Sequence, residues 1–247
     1  MNSSTSHAAE KEFIAKQSET HTVVFESILK RQIPLEDVAL SNKNKHPLKR
    51  LFDIVAAVTA LVIAGPVMLL TAVLIKLTSP GPILFKQQRV GFMGRIFTMY
   101  KFRTMEAETK SGVHRDYVIE LVENGHPMVK IDNRQRLIPF GKIIRRLFID
   151  ELPQLFNVIR GEMSLVGPRP AIPYEVQAYH DWHMKRLLAI PGMTGLWQVS
   201  GKNRLTFDEM VRLDIRYAQE YSFRMDLRIM LMTPLAIISE VQNKQNH

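Results

Sequence analysis

The chain has 247 residues, enough for one sizeable domain or two small ones, and its 46% hydrophobic content provides for a packed core. It has no cysteine, which excludes disulfides and thiolate metal sites and fits a cytoplasm-facing protein. The net charge of +9 is unevenly placed: from His46 to Thr104 eight basic residues stand against Asp53 alone, a local excess of +7. Such clustering suits anionic lipid headgroups or a phosphorylated substrate, and no nucleic-acid reading motif accompanies it.

Residues 1–45 read as an N-terminal extension, with the domain proper over 46–247. Charges in the extension cancel and its start is Ser/Thr-rich, a composition that predicts disorder. A short amphipathic stretch near Val23 to Leu29 is the exception, ended by Pro34. Ile54 to Ile75 then gives 22 uncharged residues, interrupted by Gly65-Pro66. A spanning helix needs about 20 apolar residues, but a central proline removes a backbone donor and favours a kink or break. Both flanks are basic, with Lys49 and Arg50 before and Lys76, Lys86 and Arg89 after, and basic flanks favour the cytoplasmic side. A re-entrant hairpin over about 51–77 meets both constraints. Each arm of roughly 11 residues would reach about 17 Å, half of a ~30 Å hydrocarbon core. A bent spanning helix and a buried helical hairpin are the alternatives. Asp53 is expected at the interface near Arg50.

Ser79-Pro80-Gly81-Pro82 is a turn cluster, and two short strands follow, Ile83 to Val90 and Ile96 to Arg103, as a hairpin. Lys101 and Arg103 are two apart on the second strand, so they share a face and suit a diphosphate or lipid headgroups. Residues 106–136 read as a helix and loops. From Ile138 a helical pattern leads to Arg145, Arg146 and Asp150-Glu151-Leu152-Pro153. Asp150 is expected as an N-cap, with Pro153 in the first turn and Gly161 ending the helix. Leu152, Leu155, Phe156 and Ile159 would form its apolar face. Gly167-Pro168-Arg169-Pro170 is a rigid turn. A helix over Tyr174 to Leu188, a Gly-rich loop from Pro191 to Asn203, and helices near Phe207 to Glu220 and Leu227 to Val241 complete the chain. The last suits either a core or the membrane surface. The fold class expected is mainly α with a small β-hairpin: a membrane-embedded monotopic domain with a re-entrant helix-break-helix and interfacial amphipathic helices.

Asp150 and Glu151 are the sharpest candidates for chemistry. A helix N-terminus favours anions, and a carboxylate kept ionised there serves as nucleophile or Mg²⁺ ligand; simple capping is the alternative from spacing alone. Pro168 and Pro170 restrict the backbone around Arg169, which favours a bidentate phosphate contact. His180 and His183 are at helical spacing without an obvious third ligand, so they read as solvent-exposed.

Five ordered stretches together resemble the bacterial sugar transferases known as monotopic phosphoglycosyl transferases. They are Lys49-Arg50-Leu51-Phe52-Asp53, Lys101-Phe102-Arg103-Thr104-Met105, Asp150-Glu151-Leu152-Pro153-Gln154-Leu155-Phe156-Asn157-Val158, Gly161 to Pro170, and Pro191-Gly192-Met193-Thr194-Gly195 with Gln198-Val199. The resemblance covers about residues 46–240 and outweighs the capping alternative. It implies transfer of a sugar 1-phosphate from a UDP-sugar to a polyprenyl (undecaprenyl) phosphate, with Mg²⁺, at the cytoplasmic face of the bacterial inner membrane. The product would begin a surface or exported polysaccharide. By the same resemblance Asp150 is the nucleophile and a Mg²⁺ ligand, and Glu151 assists at the metal or as acid/base. Lys101, Arg145 and Arg169 handle phosphate or the nucleotide end. Membrane lipids are implied as surroundings, and a homodimer is left open. Related chains often carry Ser-Pro at the helix break, where this one has Gly65-Pro66. The extension is longer than in the smallest members and too short for the several spanning helices of the larger ones. A catalytically silent membrane scaffold and a conventional UDP-releasing glycosyltransferase remain the alternatives.

Overall fold

A computed structural model describes residues 47–106, 137–201 and 205–243; the N-terminal extension and nearly all of the 106–136 segment lie outside them. The apolar run sits within one helix, α1 (Pro47–Thr78), 32 residues long with Pro66 inside it. Among the described residues it alone is long and apolar enough to cross a membrane by length and composition. The expected hairpin follows as β1 (Leu84–Val90) and β2 (Ile96–Phe102), antiparallel, with Leu84 opposite Phe102 and Val90 opposite Ile96. Then come α2 (Gly141–Arg146), α3 (Gln154–Arg160), β3 (Ser164–Val166) and α4 (Pro173–Gln177). β4 (Gly192–Thr194), α5 (Leu196–Val199), α6 (Phe207–Glu220) and α7 (Phe223–Asn243) complete the order.

Three stretches differ from the sequence reading. The helix expected over Tyr174 to Leu188 is α4 followed by a separate 3-10 helix, Asp181–Leu188. The stretch read as a Gly-rich loop contains β4, which pairs in parallel with β3, and α5. His183, expected to be exposed, is fully buried beside Tyr179, Trp182 and Phe207, with its Nε2 3.2 Å from Asp208. Burial pushes its pKa down to about 4, so it packs as a neutral ring. By contrast α6 starts as its sequence directs: Thr206 Oγ1 accepts the Glu209 N–H, and Glu209 returns the bond to the Thr206 N–H.

The exposed middle of α1 separates two seated ends. Val62, Ile63, Leu69 and Leu70 are each at least 60% exposed. Ala57 packs in one cluster with Phe97 and Met99 of β2 and Leu155 and Val158 of α3. Ile75 packs in another with Phe102, Ile138 and Ile144. A larger cluster joins Val90, Val176, Tyr179, Leu187, Phe207 and Met210. One side of α7 joins the core through Ile229, while Leu227, Leu231, Leu235 and Ile238 stay exposed. The core reading of the last helix thus holds for one face of it, and the other face is apolar and exposed.

Half of the basic cluster points inward, away from any headgroup. Lys49 Nζ donates to Asp226 Oδ2 at 2.6 Å and to the Val166 carbonyl. Asp53, expected at the interface, is buried and accepts the Leu165 N–H. Arg50 donates to the Val158 and Ile159 carbonyls in the last turn of α3. Arg89 and Arg103 are buried as well. The first two turns of α1 are therefore a dock for α3, β3 and α7.

The Lys49–Asp226 pair sets a stability test. Lys49→Met strands a buried carboxylate and should cost about 3–5 kcal/mol. Adding Asp226→Leu should recover most of that, because the Tyr217 hydroxyl keeps the Val166 carbonyl as acceptor. Denaturant titration of both variants in micelles measures the difference.

Candidate active site

The hairpin, α2 and α3 converge on Asp150 and Glu151. β2 carries Lys101 near its end, and Lys101 Nζ lies 3.0 Å from Glu151 Oε1. The second Glu151 oxygen accepts from Gln154 Nε2 at 3.3 Å. Asn157, fully buried one turn along α3, locks that helix to β2: its Nδ2 donates to the Thr98 carbonyl and its Oδ1 accepts the Tyr100 N–H. The sequence reading assigned Asn157 no role. A polar residue among Leu155, Phe156, Val158 and Ile159 was its one visible signal.

Asp150 is not the N-cap expected of it. It lies in a one-turn 3-10 helix, Ile149–Glu151, and Pro153 holds the N-cap position of α3. Phe148, at φ 56°, turns the chain between α2 and this segment in a left-handed conformation that costs about 1–2 kcal/mol for a non-glycine residue. Gly161 ends α3 at φ 81°, as expected. Of the expected apolar face, Leu155 is buried while Phe156 is exposed.

Burial, then the neighbouring Glu151, raises the Asp150 pKa to about 6; Lys101 and Arg145 pull against that shift. Asp150, Glu151, Lys101 and Arg145 thus share one electrostatic site. Arg169 is half-buried on the Gly167–Pro170 strap. Arg89 links the two: burial and then the charge of Arg169 depress its pKa to about 10, and Glu151 acts on it as well. Arg103 is placed elsewhere. Its Nη1 and Nη2 donate to the Pro80 and Ser79 carbonyls at 2.5 and 2.9 Å, so it secures the loop leaving α1.

The strap and the Pro191–Gly195 segment, read separately in the sequence, form one backbone unit. Ser164 N–H donates to Pro191 O, Gly167 N–H to Thr194 O, and Gly192 N–H to Pro168 O. A Cβ on Gly167 would meet the Ile190 carbonyl, and one on Gly192 would meet the Gly167 nitrogen. Close backbone approach explains both glycines.

On the apolar side, Phe140, Ile143 and Leu147 around α2 are exposed, as is Phe156. Phe156 also closes a cleft of about 380 Å³ against Val58, Leu61, Val62, Gly65 and Met68 of α1. Gly65 and Pro66 lie near the middle of α1, and Gly65 borders that cleft.

The bacterial sugar transferase family model matches residues 44–240, and the chain belongs to that family. It is 42% identical over 186 residues to the galactosyl transferase CpsE of Streptococcus agalactiae, covering 75% of this chain and 41% of CpsE. The exopolysaccharide production protein ExoY of Rhizobium meliloti is 38% identical over 191 residues, 76% of this chain and 84% of ExoY. The undecaprenyl-phosphate galactose phosphotransferase of Salmonella typhimurium is 38% identical over 208 residues, 81% of this chain and 42% of that protein. The chain spans less than half the length of the first and third of these relatives.

A reaction that uses the Asp150 carboxylate should lose kcat/KM as pH falls and that group protonates, near pH 6 with no cation at the site and lower with one bound. Lys101→Met removes an opposing positive charge, so its acid limb should move to higher pH. Initial rates from pH 5 to 8 measure the displacement; a limb left in place would detach Asp150 from the rate.

Proposed function

We propose that this protein transfers a sugar 1-phosphate from a UDP-sugar to polyprenyl phosphate at the cytoplasmic face of the bacterial inner membrane. The product starts a surface or exported polysaccharide. The observation that carries this reading is the Asp150–Glu151 pair, set between Lys101 and Arg145 and backed by an apolar helix. The names of relatives support it: the Salmonella protein is an undecaprenyl-phosphate galactose phosphotransferase, and ExoY is an exopolysaccharide production protein.

In the proposed route an Asp150 oxygen attacks the sugar-linked phosphorus of the donor. The bond from that phosphorus to the bridging oxygen breaks, and the electron pair leaves with UMP. A polyprenyl phosphate oxygen then attacks the same phosphorus, freeing the Asp150 carboxylate and forming a polyprenyl diphosphate sugar. Lys101 and Arg145 offset the repulsion between carboxylate and diphosphate, and Arg169 holds a phosphate in place. Glu151, held by Lys101 and Gln154, orients this charge array.

The donor set fits Mg²⁺. Mg²⁺ is bound through one or two carboxylates with substrate phosphates and water completing its shell, and Asp150 and Glu151 are two such carboxylates. Burial first, and then the Glu151 charge, raises the Asp150 pKa, and a cation relieves the second of these. Bound there, Mg²⁺ would neutralise charge on the diphosphate.

The membrane helix is proposed to enter and leave by one face, bending at Gly65-Pro66. The seating of both its ends on β2 supports this. Ala57 and Ile75 are 18 residues apart, about 27 Å along a straight helix, whereas β2 from Phe97 to Phe102 extends only about 17 Å. The exposed residues between them would lie in the outer part of the bend, within hydrocarbon.

Nucleotide release from a panel of UDP-sugars, with Mg²⁺ and polyprenyl phosphate, tests the chemistry. UMP should form with a matching donor, and Asp150→Asn should lower its rate by more than ~1,000-fold. UDP as product would assign the protein to conventional glycosyl transfer, and absence of any nucleotide would favour the scaffold. For topology, the cysteine-free chain allows Leu48→Cys and Leu77→Cys, both at exposed positions flanking the bend. They should react with an impermeant thiol reagent from the same side of sealed vesicles; labelling from opposite sides would mean a spanning helix.

A further inference from the structure

Four consecutive carbonyls of the strap are each held by a different donor. Gly192 N–H donates to Pro168 O at 2.8 Å and Val90 N–H to Ala171 O at 2.8 Å. Between them, Arg186 Nη2 donates to Arg169 O at 3.2 Å and Arg89 Nη1 to Pro170 O at 2.8 Å. Pro168 and Pro170 have no N–H, so the strap has few donors with which to organise itself. Its shape is imposed from outside.

The two guanidinium groups are themselves anchored. Arg186 is 2% exposed, and it donates to Asp214 Oδ2 at 2.6 Å and to the Tyr179 hydroxyl at 2.7 Å. Arg89 is 6% exposed and donates through Nε and Nη2 to Gln87 Oε1. Burying a cation against neutral acceptors is costly, and a neutral donor would satisfy the Pro170 carbonyl alone. A charge-assisted bond is about twice as strong as a neutral one, which matters where a backbone position must not drift. What lies between these bonds is Arg169.

We propose that Arg89 and Arg186 are positioning residues for the transfer reaction, fixing the strap so that the Arg169 side chain meets substrate phosphate in a single orientation. The inference rests on the proposed reaction and on Arg169 as its phosphate ligand. Neither Arg89 nor Arg186 is assigned a contact with substrate. Their effect passes through Arg169, and that separates this role from a direct electrostatic one.

A double-mutant cycle and a hydrogen-exchange measurement test it together. Arg89→Gln should lower kcat/KM for nucleotide release about tenfold when Arg169 is present, and less than about twofold in an Arg169→Ala background. Arg186→Lys, which keeps the charge but loses the fork, should show the same dependence on Arg169 and serves if Arg89→Gln fails to fold. Exchange at Val90 and Gly192, whose N–H groups donate to the Ala171 and Pro168 carbonyls, should quicken in either variant while α3 and α6 keep wild-type protection. Additive losses in the cycle would overturn the proposal by giving the arginines an action of their own. Unchanged exchange at the strap would overturn it too, and so would faster exchange throughout the domain, which marks a general structural role. If the wild type releases no nucleotide from any donor, the transfer reading fails by itself, while the exchange result still decides whether these arginines hold the strap.

Discussion

An apolar helix in a bilayer can slide and tilt by several ångströms unless something outside the lipid fixes it, and for the proposed membrane helix the first two turns of α1 supply that restraint. Lys49, Arg50 and Asp53 lie on its inward side and engage Asp226, the end of α3 and the Leu165 amide respectively. The Arg50 contact is directional, because a cation suits the partial negative charge at a helix C-terminus. α3 is the helix that begins three residues after Glu151, once Pro153 is passed, and Asn157 clamps it to β2. With α1 in the membrane as proposed, depth is transmitted by rigid steps: from lipid to α1, from α1 to α3, and from α3 to the carboxylates.

This division of labour changes what the basic excess means. Of the eight basic residues around the apolar run, Lys49, Arg50, Arg89 and Arg103 serve internal acceptors, and Lys101 serves Glu151. Lys76, Lys86 and Arg95 remain exposed. Attraction to anionic headgroups, worth about 1 kcal/mol for each basic residue near the surface, therefore has three cations in this stretch to act through, fewer than the raw charge implies. The larger use of positive charge is architectural. Guanidinium groups hold carbonyls where regular structure stops, after the end of α1, along the strap and at the end of α3.

The sequence made the local elements legible and left most of the distant contacts unread. The hairpin, the stop at Gly161 and the span of α6 each follow from short-range chemistry: alternation, a left-handed glycine, a capping box. Lys101, Arg145, Asp150 and Glu151 were found by motif order and do come together in space. The capping role of Asp150 was misread because Pro153 fits a first turn as well as an N-cap, and spacing does not distinguish an α-turn from a 3-10 turn. β3 and β4 are three residues each, too short for any period to register. Arg103 illustrates the general difficulty. Alternation puts it on the Lys101 face, but the strand ends at Phe102, and its partners are carbonyls 23 and 24 residues upstream. Nothing in a linear pattern points there.

The arrangement also bears on why a covalent route suits this site. A direct transfer needs donor and acceptor bound together, with two phosphates facing each other across the reacting bond and enough cationic groups for both. Here the groups around Asp150 are few, and Lys101 already answers Glu151. In the proposed reaction the polar strap, held on carbonyls from Pro168 to Ala171, serves one side of the site, and the apolar cleft between Phe156 and α1 serves the other. A nucleotide suits the first side and an isoprenoid the second, but their phosphates must occupy the same place beside Asp150. In the proposed two-step reaction they do so in succession, so UMP departs before the lipid phosphate arrives. A rigid Arg169 then serves both half-reactions without rearranging, since the phosphorus under attack stays bonded to Asp150 between them.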